Sequence, residues 1–309
     1  MITPKVDVPD LPKCECGGEI PAHVTSCVVC AESVGFPNVR YAERAVEVAA
    51  LDQRFADAKI SAGARGSLER LEAFGTAVDK SEAVVSRSLG DLDVMLSGGG
   101  KLMQAYHPAV RAGLRVPQNN EHDPMRDVND ARVSPHFYDR LHYAALSLDR
   151  RGVPHYGDCA ITLREDRTAK RTTVFEENPV VFNGKHPLGK GRPLPYGYRA
   201  IWRSRSRLAV AKLHAKIEAT TQDGEFAGIL MQKAPVPEQL AEPVDAAEGA
   251  AVEADLTDFI EVHVYGDLHP GAFAHVSAEI LDDPIEQLLW DRAQQRLGDF
   301  GITFEEVSA

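Results

Sequence analysis

An α+β fold is the class this sequence predicts: an N-terminal zinc knuckle and helical region, then a mixed strand-and-helix domain broken by a disordered acidic loop. Three observations point there. Four cysteines crowd into residues 14–30. Apolar residues recur near helical spacing through residue 89, and from about residue 137 short β-branched runs replace them. The 309 residues are 44% apolar and 26% charged, an ordinary globular composition that excludes wholesale disorder and a coiled-coil rod. No apolar run approaches the roughly 20 residues that span a bilayer, so no membrane partner is expected. The expected units are a knuckle over 1–40, a helical region over 41–128 and a catalytic-looking α+β domain over 129–309, with the acidic loop at 234–258.

The knuckle reading rests on Cys14-x-Cys16 and Cys27-x-x-Cys30. Two close pairs joined by a Gly-bearing turn suit tetrahedral zinc, because each pair sets two sulfurs on one side of the ion. The first pair is C-x-C rather than C-x-x-C, which makes His23 a substitute ligand. Disulfides or free thiols are the alternatives. The N-terminus shows no secretory signal, so a reducing cytoplasm is expected, and that favours metal. Four cysteines would close the coordination sphere, so the zinc is structural. Cys159, within an apolar CAITL run, reads as a buried small residue.

Along the chain, residues 41–57 and 67–89 read as helical, with Ser67 an N-cap and Leu68, Leu71, Phe74, Val78, Val85 and Leu89 at helical spacing. Gly98-Gly99-Gly100 ends the pattern. Residues 101–128 mix a short helix with a polar loop. HYAALSL, YGDCAITL and RTTVF read as strands, and Asn183-Gly184 as a turn. Residues 202–218 are helix-like, and FAGILMQ reads as an apolar strand. The 234–258 segment, rich in Ala, Pro and Glu, reads as disordered. Asp283-Pro284-Ile285-Glu286 starts a helix with an acid N-cap and Pro at its first position, its apolar face being Ile285, Leu288, Leu289 and Ala293. Residues 300–307 form a last strand.

The charge is segregated. The net value is −12, from 34 basic and 46 acidic residues. Residues 185–217 hold nine Lys/Arg and no acid, whereas 236–258 hold seven acids and no base. Within the basic segment Lys190, Arg192, Arg199, Arg203, Arg205 and Arg207 alternate with Tyr196, Tyr198 and Trp202. Arginine beside aromatic rings suits a phosphate backbone with stacked bases, or a phosphate-bearing small ligand. A solvated helix face, or a patch shielded by the acidic loop, would read the same way.

Familiar catalytic signatures are missing: no HExxH, P-loop, GxGxxG or GxSxG occurs. The most informative stretch is DFIEVHVYGDLHPGAF, residues 258–273. Glu261 lies mid-strand, where glutamate is disfavoured, and alternates in phase with His263 and Tyr265. Ile260, Val262 and Val264 make the opposite, core face. An active-site strand has this pattern; so does an edge strand. Glu176 and Glu177 in FEENP, and His263, His269 and His275, are weaker candidates for acid–base or metal chemistry.

The E-V-H-V-x-G pattern, with SLDRRGVPHYGDCAITLRE and RTTVF before it, resembles bacterial toxin-type mono-ADP-ribosyltransferases over residues 137–280. The family's paired acid is not present, since Phe259 stands two residues before Glu261. The resemblance implies a toxin or defence effector that takes NAD and an ADP-ribose acceptor. It implies that Glu261, with His263 and Tyr156 nearby, acts in catalysis and that Tyr156 stacks on nicotinamide. It also implies that Arg140 or His142 holds NAD, with Thr172 and Thr173 on the intervening strand. The rival expectation is a non-catalytic zinc protein that binds nucleic acid through residues 185–217.

Overall fold

The computed structural model describes residues 12–113, 123–186, 188–189, 192–234 and 256–307. Lys190 and most of the expected acidic loop lie outside the described residues. The fold is α+β. Ten strands are present among the described residues: β1 (Glu82–Arg87), β2 (Leu141–Ser147), β3 (Cys159–Leu163), β4 (Thr172–Phe175), β5 (Arg199–Ile201), β6 (Gln232–Ala234), β7 (Leu256–Asp258), β8 (Glu261–Tyr265), β9 (Phe273–Glu279) and β10 (Thr303–Val307). Eight form one sheet in the order β10-β9-β3-β1-β2-β8-β4-β5; β6 and β7 pair separately. Only β10 runs parallel to its neighbour within the described sheet.

The helices are α1 (Pro37–Ala42), α2 (Ala45–Ala64), α3 (Leu68–Val78), α4 (Leu89–Leu96), α5 (Tyr106–Arg111), α6 (Asp123–Val133), α7 (Glu165–Thr168), α8 (Pro179–Lys185), α9 (Arg205–Leu213), α10 (Phe226–Leu230) and α11 (Pro284–Asp299). One sheet face carries Val85, Leu146, Ile161, Val262, Val264 and Val276 into the main core, packed with Leu71, Phe74, Leu92, Leu208 and Trp290. Smaller apolar clusters sit elsewhere, one around Phe175 and Phe182, one around Phe137 and Tyr265, one around Ala145 and Phe259. None of the helices among the described residues is long and apolar enough to cross a membrane.

Several elements differ from expectation, among them α6, which stands in the expected polar loop, and β7, which pairs with β6 at the end of the expected disordered segment. The expected helical region contains β1, which sits mid-sheet between β2 and β3. Its Ala83-Val84-Val85 run is buried on both faces, and that favours a strand. FAGILMQ begins as helix α10: a capping box between Gln222 and Glu225 starts the preceding turn, and Phe226, Ile229 and Leu230 bury at helical spacing. Asn183 and Gly184 lie inside α8, which Asn178 caps through Val180 N and Pro179 opens. Helix α11 starts where expected, with Asp283 accepting from Ile285 N and Glu286 N. Its buried face, however, is Trp290, Ala293 and Leu297, which leaves Ile285 and Leu288 exposed. The large Trp290 sets the rotation, since burying it removes the most apolar area from water.

Candidate active site and metal centre

Strand β8 lies between β2 and β4, with Glu261 opposite Ala145 and Phe175, and His263 opposite Tyr143 and Thr173. Directly paired residues share a face. Glu261, His263, Tyr143 and Thr173 therefore point away from the main core. Yet Glu261 is only 1% exposed, because α6 covers it. Arg126 of α6 donates from Nη2 to Glu261 Oε1 at 3.1 Å, while Oε2 lies 2.9 Å from His263 Nε2. One helical turn on, Asp130 Oδ2 accepts from Arg126 Nε at 3.4 Å and meets His107 Nε2 at 2.8 Å. The Arg126 guanidinium lies 4.4 Å from the Tyr143 ring centre.

These groups share their charges. Burial pulls the Arg126 guanidinium down, but Asp130 and Glu261 outweigh it and raise Arg126 well above the ordinary arginine value. Burial pushes the Asp130 carboxyl up, yet Arg126 and His107 hold it below the usual range. Burial alone leads in keeping Tyr143 protonated, far above an ordinary phenol. The buried set thus joins two carboxylates, Glu261 and Asp130, to one guanidinium and two imidazoles. Beside it is a cleft lined by Arg87, Tyr106, Arg126, Tyr143, Tyr156 and Glu261. It encloses about 40 Å³, room for a few waters, so a larger ligand must part its walls. Tyr156 ends a short 3-10 turn closed by Gly157, where a Cβ would lie 2.2 Å from the Arg87 carbonyl carbon. Glycine at 157 thus lets the Tyr156 loop pack on the end of β1.

Of the residues expected at the site, Glu261, His263 and Tyr156 come together. Arg140 does not: it is exposed and stacks 6.0 Å from the Tyr265 ring, four residues along β8 and about 13 Å from Glu261. His142 lies on the core face, fully buried. Among the described residues neither of its ring nitrogens has a hydrogen-bond partner, and burial first, then Arg87 and Arg171, pull it to about 3. Thr172 also faces the core and donates to Thr168 O, whereas Thr173 sits beside His263 and accepts from Asn38 Nδ2 at 3.2 Å. Glu176 pairs with Arg54, and Glu177 with Lys185. His269 caps a turn through Gly271 N, and His275 bonds Thr303; neither approaches His263 in any contact. Arg87, His107, Arg126, Asp130 and Tyr143 were not singled out by the sequence. The available signal was the Arg126-x-x-x-Asp130 spacing, which puts both on one helix face.

The basic segment is largely satisfied internally. Arg199 is buried against Glu47 at 3.2 Å, and Arg205 donates to Trp202 O, Asp79 O and Ser81 Oγ. Arg207 pairs with Asp52, Lys212 with Asp258, and Lys216 with Asp258 and Gln232. Arg192 is exposed, and Arg203 is 80% exposed with Glu43 at 3.6 Å. No protein-family model matches this chain, and no curated protein matches it.

Cys14, Cys16, Cys27 and Cys30 form a group able to hold a metal ion, with all four sulfurs within 4.8 Å of one another. The Cys14–Cys30 and Cys16–Cys27 sulfurs are each 3.6 Å apart. A tetrahedral Zn²⁺ with ordinary Zn–S bonds needs about 3.8 Å, so the donor set fits. Val29 N points to Cys27 Sγ at 3.4 Å, and backbone N–H groups of Cys30 and Val29 lower the Cys27 thiol to about 6. At Cys30 a backbone bond to Glu32 lowers the thiol, but the Cys16 thiol and burial outweigh it and push Cys30 up to about 12. A Cβ on Gly18 would meet Val29 Cγ2 at 2.8 Å and Cys27 Sγ at 3.2 Å. His23 is not in the group; its carbonyl accepts from Tyr265 Oη at 3.4 Å. Arg40 ties the knuckle to α1 by donating to the carbonyls of Pro21, Ala22, Val34 and Gly35.

Proposed function

We propose that this chain is an NAD-consuming enzyme of the mono-ADP-ribosyltransferase type, with Glu261 as its catalytic carboxylate and a structural zinc in the Cys14–Cys30 knuckle. The observation that carries the reading is the buried Glu261 carboxylate, held by Arg126 and His263 at the wall of a tyrosine-lined cleft. The nicotinamide ring of NAD is cationic, and the ribose becomes oxocarbenium-like as the ring leaves. A fixed anion in a dry site stabilises that developing charge. In the step, the C1′–N bond breaks and its electron pair departs with neutral nicotinamide. A nucleophile on the acceptor, or water, then adds its lone pair at C1′ and loses a proton to solvent.

Tyr156 and Tyr143 supply aromatic surface for the ring. Arg87 at the end of β1 is the cation we assign to the diphosphate, in place of Arg140 or His142; it would have to exchange its present partners, Ser86 O among them, to bind it. The nucleic-acid alternative has less support, since Arg199, Arg205, Arg207, Lys212 and Lys216 already hold partners. The test is nicotinamide release from NAD. Glu261→Gln should lower the rate at least about 100-fold, the scale seen on removing one electrostatic stabiliser, with thermal unfolding still cooperative. Undiminished release would reject Glu261 as the catalytic group.

A further inference from the structure

Glu261 does not hold its own geometry. It projects from a strand, carries three rotatable bonds, and has no backbone donor among its described contacts. Its Oε1 is fixed by Arg126, a long side chain from a different element. Arg126 in turn would be free to swivel but for two restraints. Its Nε is taken by Asp130 one turn along α6, and its planar head lies against Tyr143. Asp130 itself has no side-chain exposure, and His107 of α5 closes on its Oδ2. His107 is clamped between the rings of Tyr106 and Tyr138, and its Nδ1 faces Asp127 Oδ1 at 3.4 Å.

We infer that Arg126 is the positioning residue of Glu261, and that Asp130 and His107 form a brace that acts on Glu261 only through it. The inference rests on the Glu261 site proposed above. Among the described residues, each carboxylate oxygen of Glu261 has one bond, from Arg126 or from His263, which leaves two of its roughly four lone-pair directions without a described partner. Arg126 selects which two. The planar fork of arginine suits this task, since it can hold one carboxylate on Nε and another on Nη2 with no further rotation between them. A lysine cannot span both.

The consequence concerns alignment rather than affinity. Asp130 and His107 do not line the cleft, so loosening the brace at either leaves Arg87 and Tyr156 in place, and ground-state binding persists. What is lost is the fixed aim of the carboxylate, a term realised in the transition state. Loosening the brace should thus lower kcat and spare KM.

The experiment uses the full chain with its metal, in wild-type form and as Asp130→Asn, His107→Gln and Arg126→Lys. Two readouts run side by side: NAD cleavage kinetics, and the Glu261 carboxyl signal in protein labelled at the glutamate carboxyl carbon, assigned with Glu261→Gln. Asp130→Asn is expected to lower kcat about 10- to 100-fold with KM for NAD within threefold, His107→Gln about threefold, and Arg126→Lys, which alters the cleft lining, to lower kcat as much as Asp130→Asn and raise KM as well. In Asp130→Asn the Glu261 signal should move at constant pH, though Asp130 makes no bond to Glu261. His107→Gln keeps a donor for Asp130 and decides the question if Asp130→Asn does not fold. Wild-type kcat in these variants, a rise in KM alone, or an unmoved Glu261 signal would overturn the brace. If wild-type protein fails to cleave NAD, the proposed activity falls, and the Glu261 signal still judges the brace by itself.

Discussion

Removing Glu47 should show that the basic segment is part of the scaffold. Glu47 stands in the first turn of α2, 1% exposed, and meets the segment through one hydrogen bond and one ion pair. Its Oε2 accepts from Gly197 N at 2.7 Å, and its Oε1 lies 3.2 Å from Arg199 Nε. Gly197 has φ +84°, and a Cβ there would meet the backbone of Ala50 and Leu51 at 2.8 Å, so the chain cannot move aside easily. Burial pulls the Arg199 guanidinium below the ordinary arginine value, and Glu47 pushes back against it. Glu47→Ala strands that cation and the Gly197 amide together. Breaking a buried ion pair costs about 3–5 kcal/mol. For a chain of 309 residues that lowers the thermal midpoint by roughly 5–8 °C. Glu47→Gln keeps the acceptor for Gly197 N and should cost about half as much. Calorimetry of the two variants beside wild type measures both. A Glu47→Ala loss under about 1 kcal/mol would refute the reasoning, because Arg199 would then be solvated and free to take an external anion.

Three more outcomes follow from the same contacts. With metal bound, the four knuckle cysteines should resist alkylation at neutral pH and react once a chelator is added. Cys159, whose thiol burial pushes up to about 12, should stay inert in both states; full labelling of the knuckle without chelator would contradict this. For Asp258, burial raises the carboxyl but Lys212 and Lys216 outweigh it and hold it low. A depressed folded-state value contributes stability above the unfolded carboxylate value of about 4, lost as pH falls through the folded one. Asp258→Asn should therefore cost about 2 kcal/mol at pH 7 and flatten the acid limb of a stability–pH curve; an unchanged curve would count against it. Asp283→Ala should cost about 1 kcal/mol in urea unfolding through the lost cap of α11, against no change if the helix end frays regardless.

Much of the site strand was readable because alternation has only one solution. Glu261 and His263 must share a face opposite Val262 and Val264, and they do. The Cys spacing was similarly local. The rest depended on partners distant in sequence. Val85 fits a helical register with Leu89, and only its pairing to Ile161 decides for a strand. Phe226, Ile229 and Leu230 form a run too short for periodicity to separate strand from helix. The register of α11 followed Trp290 rather than the count of aliphatic residues. Arg126 and Asp130 stood in a stretch so polar that it read as loop; composition conceals a buried ion network, because its residues look solvated until their counter-charges are placed. The +9 segment misled for the same reason: its acids, Glu47, Asp52 and Asp258, lie far away in sequence.

The central claim is that the Glu261 cleft takes NAD with its reacting carbon at the carboxylate. A crystal structure of the chain with a non-hydrolysable NAD analogue tests it most directly. A ribose hydroxyl should lie within hydrogen-bond distance of Glu261, about 2.6–3.2 Å, with nicotinamide against Tyr156 and the diphosphate on Arg87. An analogue bound elsewhere, or a cleft that stays closed with only water inside at saturating analogue, would contradict it.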